Sequence, residues 1–198
     1  AMGSYQQAET HLNRVLASFP NNVYARRVLG ATYLRQGQPA KALDVLSPML
    51  AQGTTDAQAL AMAGEAYLRL QEFNKAMDLL ERASRLNPEN VAIRTNLAAG
   101  LIGGGEVERA MFELNQAAAM SAEPGKADLL LPTLHLHRKE YDKALVAIQA
   151  LEQKLPSNPI TQNLRAAALL GKKNQAEARI ALERAIVIDP TFFPAAMN

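Results

Sequence analysis

Alanine stands at positions 8, 42, 76, 110, 144 and 178, each 34 residues after the last. A fixed period of this length sets the architecture before any local propensity is considered, because it marks one supersecondary unit repeated along the chain. Four positions after each alanine come Leu12, Leu46, Leu80, Leu114, Ile148 and Leu182, and seven after come Val15, Met49, Ala83, Ala117, Leu151 and Ala185. Steps of four and then three keep these side chains on one stripe of an α-helix. The alanine itself reads as a site of close helix approach, where a methyl group fits and a larger side chain does not.

Twelve positions after the alanine stand Pro20, Pro88, Pro156 and Pro190, with Thr54 and Ala122 as the two exceptions. A helix does not readily continue there. Two residues further come Asn22, Asp56, Asn90 and Asn158, whose side-chain oxygens can accept the free N–H groups of a following helix. That helix carries Leu29-Gly30 with Tyr33, Ala63-Gly64 with Tyr67, and Leu97-Ala98 with Leu101. Turns follow at Gln36-Gly37, Leu70-Gln71 and Gly103-Gly104-Gly105. Each unit is therefore a pair of helices. Composition agrees: 48% of residues are hydrophobic, only 5% are aromatic and tryptophan is absent, a balance that favours helices over strands.

The Leu-Gly pair, the aromatic, the glycine turn, the alanine and the closing proline resemble the tetratricopeptide repeat family over essentially the whole chain. The resemblance implies an all-α fold, a right-handed superhelical α-solenoid of stacked antiparallel helix pairs. Repeats are expected at 23–56, 57–90, 91–124, 125–158 and 159–192. A lone second helix of a truncated repeat (1–22) precedes them, and a stub (193–198) opens a further one. Gly3 and Tyr5 occupy the turn and aromatic positions, so the register runs to the first residues and both ends are expected to lie inside a repeat. Two departures predict local irregularity. Pro132 falls within a first helix, where a kink is expected. Leu164 lies fourteen residues before Ala178, whereas Leu97 lies thirteen before Ala110, which predicts one inserted residue near Leu170–Lys173 and an irregular turn there.

A stack of such pairs buries its apolar faces only against neighbours and leaves a long concave surface. In the family that surface is lined by set positions of each first helix and binds partners. Carried over, it implies a non-catalytic scaffold for a protein or peptide, with groove residues Tyr24, Arg27, Arg35, Gln58, Met62, Glu65, Arg69, Thr95, Asn96 and Lys126. First helices carry Arg26, Arg27, Arg35, Arg69, Arg94, Lys126, Arg138, Arg165, Lys172 and Lys173 against Glu65 and Asp128. That is +8 in a chain whose total is +2, which leaves −6 elsewhere. Such segregation predicts a basic-leaning groove and an acidic partner. The opposing possibility is that Arg26 and Arg94 cover apolar packing with their stems and that Lys172 and Lys173 sit at turns. The carboxylate clamp of some family members is not reproduced, since Ala31 follows Arg27 and Glu65 follows Ala61.

The alanine-rich stretches and Asn-Pro endings are also similar to long tetratricopeptide lipoproteins of bacterial exopolysaccharide and PEP-CTERM sorting systems. That resemblance implies a periplasmic or outer-membrane-anchored parent and an anionic polysaccharide, or its assembly machinery, as an alternative ligand; otherwise the compartment is cytoplasmic. A nucleic-acid-binding or enzyme-regulatory module is a third reading. A small net charge and few groove aromatics speak against nucleic acid.

No catalytic or cofactor-binding constellation is present. His135 and His137, two apart on a helix, point to opposite faces and form no metal pair. Gly103-Gly104-Gly105 lacks the lysine and hydroxyl residue of a phosphate loop. Cysteine is absent, so neither disulfides nor thiol chemistry enter. No apolar run is long enough to span a bilayer. Dimers through the ends, at Phe192, Phe193 or the first helix, are expected if natural capping repeats are missing.

Overall fold

A computed structural model describes residues 2–192, with side chains from residue 5 onward. The described residues form eleven α-helices and no strand: α1 Met2–Ser18, α2 Val23–Arg35, α3 Pro39–Ala51, α4 Ala57–Arg69, α5 Phe73–Leu86, α6 Val91–Gly103, α7 Val107–Met120, α8 Lys126–His137, α9 Tyr141–Lys154, α10 Pro159–Gly171 and α11 Gln175–Ile188. The expected stub at 193–198, including Phe193, lies outside the described residues.

Four first helices begin where a side chain caps them. Asn22 Oδ1 accepts from the Ala25 N–H at 2.9 Å, Asp56 Oδ1 from Gln58 and Ala59 at 3.0 Å, Asn90 Oδ1 from Ile93 at 3.1 Å, and Asn158 Oδ1 from Ile160 at 2.8 Å. Each cap stabilises its helix by about 1 kcal/mol. α8 starts at Gly125 without one, and Asp128 reaches back to accept the Gly125 N–H at 2.9 Å.

The turns inside the pairs share one geometry. Gly37, Gln71, Gly105, Lys139 and Lys173 all take left-handed φ values, between 59° and 83°. The next N–H in each, from Gln38, Glu72, Glu106, Glu140 and Asn174, closes on the carbonyl five residues earlier. The turn around Lys173 is therefore as regular as the rest, and the expected inserted residue is not there. Arg165 occupies the register of Leu29, Leu97 and Leu131, and Leu164 is simply its neighbour. Gly3 makes no turn either, for it lies inside α1.

Two prolines stand inside helices of the described residues. Pro132 does not end α8, and its ring is fully buried. Pro48, a second internal proline, removes the N–H that would bond the Asp44 carbonyl inside α3; the Ser47 hydroxyl donates to that oxygen instead, at 2.9 Å.

The chain forms two compact units, residues 1–113 and 114–198. In the first, α2 touches α3 and α4, and α6 lies against α4 and α5. Its core gathers Leu46, Leu60, Ala63, Leu79 and Ile93 in one cluster and Leu29, Tyr33, Leu34, Ala42 and Ala66 in another. In the second, α10 lies against α8, α9 and α11, with Ala144, Ile148 and Ala168 in one cluster and Ala166, Leu169, Ala178 and Ala181 in the other. Of the six period alanines, the five from Ala42 onward are completely buried. Ala8, on α1, is half-buried.

Candidate interaction face

The first helices α2, α4 and α6 are neighbours within the first unit, so their residues share a face. Tyr24 is 68% exposed. Gln58 and Arg35 are exposed as well, while Asn96 is half-buried. Met62 packs partly into both core clusters. Thr95 turns inward instead: it is buried, and its hydroxyl donates to the Val91 carbonyl at 2.7 Å, so it presents nothing to a ligand. Lys126 is exposed at the start of α8, in the second unit.

The basic residues have mostly found partners in the chain itself. Arg27 pairs at 3.2 Å with Asp56, which also caps α4, so one carboxylate ties two first helices together. Arg69 donates to the Leu34 carbonyl at the end of α2 and to Glu65 at 2.6 Å. Arg26 donates to the Pro20 and Val45 carbonyls. Arg94 joins the Pro88 carbonyl to Glu113, at 2.7 and 2.6 Å. Arg138 meets Glu140, Arg165 meets Glu152 and Lys172 meets Asp142. Of the ten cations on and beside the first helices, Arg35, Lys126 and Lys173 alone have no ion pair or side-chain hydrogen bond among the described residues, and all three are exposed. The pairing removes much of the potential that the charge count implied.

Other contacts were not anticipated. Lys41 stands over the Tyr33 ring at 5.5 Å and Lys75 over Tyr67 at 5.3 Å. The signal was a tyrosine followed eight residues later by a lysine in two successive units. Tyr33 donates to Glu9 on α1 at 3.0 Å; burial and that carboxylate raise its pKa. His135 is buried with Nδ1 2.8 Å from Glu140, whereas His137 is exposed, so the two histidines face apart. The bond to His135, helped by Arg138, holds the Glu140 carboxyl below the usual carboxylate range. Lys154 Nζ donates to the Ala118 and Ser121 carbonyls at 2.8 Å and to the buried Asp128 at 2.6 Å, anchoring the segment that leads into α8 where the proline of other units is missing. No cluster of His, Asp or Glu suited to a metal occurs among the described residues. No helix is long and apolar enough to cross a membrane among them.

Paired helices of similar length, joined by turns of one geometry and packed through the same alanine, define an α-helical repeat protein. Two tetratricopeptide repeat family models match residues 67–131 and 129–191, and the model described as anaphase-promoting complex, cyclosome, subunit 3 matches 1–83. The chain belongs to the tetratricopeptide repeat family. Among solved structures it is similar to YrrB, a "TPR protein with an unusual peptide-binding site", at 19% identity and a TM-score of 0.76, covering 94% of this chain and 96% of that one. It is similar also to MamA, at 19% identity and a TM-score of 0.75 over 83% and 90% of the two chains. A tetratricopeptide repeat protein from Parabacteroides merdae matches at 20% identity and a TM-score of 0.76, over 98% and 77%. Identities this low speak for the fold. Among curated proteins, the TPR repeat-containing thioredoxin TTL4 of Arabidopsis thaliana is 32% identical over 46% of this chain. Cellulose synthase operon protein C of Pseudomonas fluorescens is 28% identical over 59%. The chain spans only 13% and 9% of the lengths of those two relatives.

Proposed function

We propose that this chain is a non-catalytic scaffold that binds a protein or peptide on the face formed by its first helices, with repeats at 23–56, 57–90, 91–124, 125–158 and 159–192. Membership of the repeat family supports the scaffold role. The observation that carries the choice of face is the contrast on α2, α4 and α6 between residues held by the fold, Arg27, Glu65 and Arg69, and residues left open, Tyr24, Arg35 and Gln58. The rigid pairs fix the spacing of the helices, and the open side chains offer an aromatic, a cation and an amide. Because Arg27 and Arg69 are already matched, an acidic partner gains mainly from Arg35, and affinity should fall only gently with salt.

A photo-crosslinking amino acid at Tyr24 or Gln58 tests this reading, with the same group at Phe112 on α7 as control. Protein adducts at the first two sites and none at Phe112 are expected. Adducts at Phe112 alone would overturn the choice of face. A second reading, an exported scaffold for exopolysaccharide or its assembly machinery, is favoured by the likeness to cellulose synthase operon protein C. Retention of the chain by an anionic polysaccharide, abolished by Arg35→Glu, would decide for it.

A further inference from the structure

The last pair of helices holds a depression at a register where two other pairs of this chain carry an arginine. It lies between the start of α10 and the end of α11 and is lined by Pro156, Gln162, Ile180, Glu183, Arg184 and Val187. Gln162 stands in the same register as Arg26 and Arg94, 68 residues apart in each step, and Pro156 in the register of Pro20 and Pro88. In α2 the Arg26 guanidinium donates to the Pro20 carbonyl at 2.7 and 3.0 Å and reaches across to the Val45 carbonyl of α3 at 2.8 Å. In α6 Arg94 does the same, binding the Pro88 carbonyl and Glu113 of α7. Each guanidinium thus bridges the proline segment and the second helix of its pair.

Gln162 is too short to make that bridge. Its Nε2 turns instead to Glu152 on α9 at 2.9 Å. Its Oε1 is buried with no hydrogen-bond partner, in a residue only 8% exposed. A buried amide oxygen left this way is costly, so it marks a place where a donor is wanted. The surroundings suit the stem of a long side chain. Val187 is 81% and Ile180 49% exposed, where the equivalent residues are Ala51 and Asp44 in the Arg26 pair. Glu183 at the rim is already paired with Arg179 at 2.9 Å, so the charge of Arg184 beside it is one that an arriving cation must meet.

We propose that this depression accepts the guanidinium of an arginine from a partner protein, at the register of Arg26 and Arg94, and that the Gln162 side chain turns outward on binding so that its Oε1, closed to solvent in this structure, accepts from it. The proposal does not rest on the reading of the face formed by α2, α4 and α6. A guanidinium fits better than an ammonium because planar, forked donors can serve two acceptors on different elements at once.

The probe is Nα-acetyl-arginine methylamide, titrated into the chain and followed by amide and side-chain NMR shifts, with the citrulline and lysine counterparts as controls. Saturable shifts at the Gln162 side chain, Ile180 and Val187 in the millimolar range are expected, weaker by about tenfold for citrulline, which lacks the charge. Gln162→Arg should abolish them by filling the site from within and should raise Tm. Arg184→Ala should tighten binding. Equal shifts from citrulline or lysine, no saturation, or a lowered Tm for Gln162→Arg would overturn the assignment. So would concentration-dependent broadening at these residues without the probe, which would put a second copy there.

Discussion

The ring of Phe73 fills the space that a side chain at Gly103 would need: a Cβ built there lies 2.3 Å from ring carbons. Phe73 opens the second helix of one pair, and Gly103 closes the first helix of the next. Tyr141 and Gly171 repeat the arrangement, with a Cβ 2.1 Å from the tyrosine ring. Where this opening residue is small, as at Pro39 and Val107, the residue 30 positions on is large, Arg69 and His137. Aromatic and glycine therefore act as one joint between successive pairs.

That joint predicts a change of sign. Gly103→Ala should destabilise the chain by about 1–2 kcal/mol, because the ring must leave its seat. In a Phe73→Ala background the same change should be neutral or stabilising by up to about 0.5–1 kcal/mol, through helix propensity alone. Chemical denaturation of the four proteins of the cycle measures both. Additive effects would mean that the two residues do not share the space.

Gly64 faces a neighbour with less freedom to move. At Gly64 a Cβ would lie 2.5 Å from Cγ of Leu80, which is completely buried; at Gly30 the nearest Leu46 atom is 3.3 Å away. Gly64→Ala should cost about 2–3 kcal/mol, since neither leucine nor backbone can move freely in the core. Gly30→Ala should cost distinctly less. Thermal melts of the two variants give the comparison, and equal Tm shifts would contradict the packing.

The helices, their period and their caps were legible in the sequence because they depend on spacing and on residue types with one dominant local effect. Partner choice was not. Arg27, Arg69 and Arg94 look alike in the sequence; all three entered the charge count, and repeat position put Arg27 and Arg69 on the groove. The carboxylates of Arg27 and Arg94 lie 29 and 19 residues away, at distances that only the packed helices fix, and only Glu65, one turn from Arg69 on the same helix, was within reach of a sequence reading. Thr95 was misread for a related reason: position in the repeat placed it on the groove, while its hydroxyl is satisfied by its own helix. Lys173 shows the converse. A shifted leucine suggested an insertion, yet the distance from turn to alanine, five residues in every pair, had kept the register throughout.

Acid should loosen the α8–α9 turn. Glu140 has its pKa lowered, first by the bond from His135 and then by Arg138. A carboxyl depressed in the fold favours its ionised form there, so its contribution is present above the unfolded pKa. The contribution is lost as pH falls through the lowered folded value. Urea melts of the wild type and Glu140→Gln should differ by a constant amount at neutral pH and converge below the ordinary carboxylate range. A gap that persists at acid pH would exclude the linkage.

Lys154 should matter more than any exposed cation. Removing it leaves Asp128, 7% exposed, as a buried carboxylate without its counter-ion, and frees two carbonyls at the entry to α8. Lys154→Met should cost about 3–5 kcal/mol. Lys154→Met with Asp128→Leu should recover much of that loss, because no charge is then left buried. Failure of the second change to recover stability would show that the carbonyl contacts, rather than the ion pair, hold the segment.

Arg35 and Arg69 share one register, yet they should answer charge reversal differently. Arg69 holds the Leu34 carbonyl and Glu65, so Arg69→Glu removes a charge-assisted bond to the end of α2 and sets like charges one turn apart. A loss of about 1–3 kcal/mol in stability is expected, with weaker binding following from the altered spacing of α2 and α4. Arg35 is exposed and has no such contact among the described residues, so Arg35→Glu should leave stability within about 0.5 kcal/mol while still weakening an acidic partner. Denaturation and binding measured on the same two variants separate the roles. If Arg35→Glu leaves affinity unchanged while Arg69→Glu lowers it in step with stability, the cations of this face serve the fold and the partner is recognised by its uncharged residues, Tyr24 and Gln58 first among them.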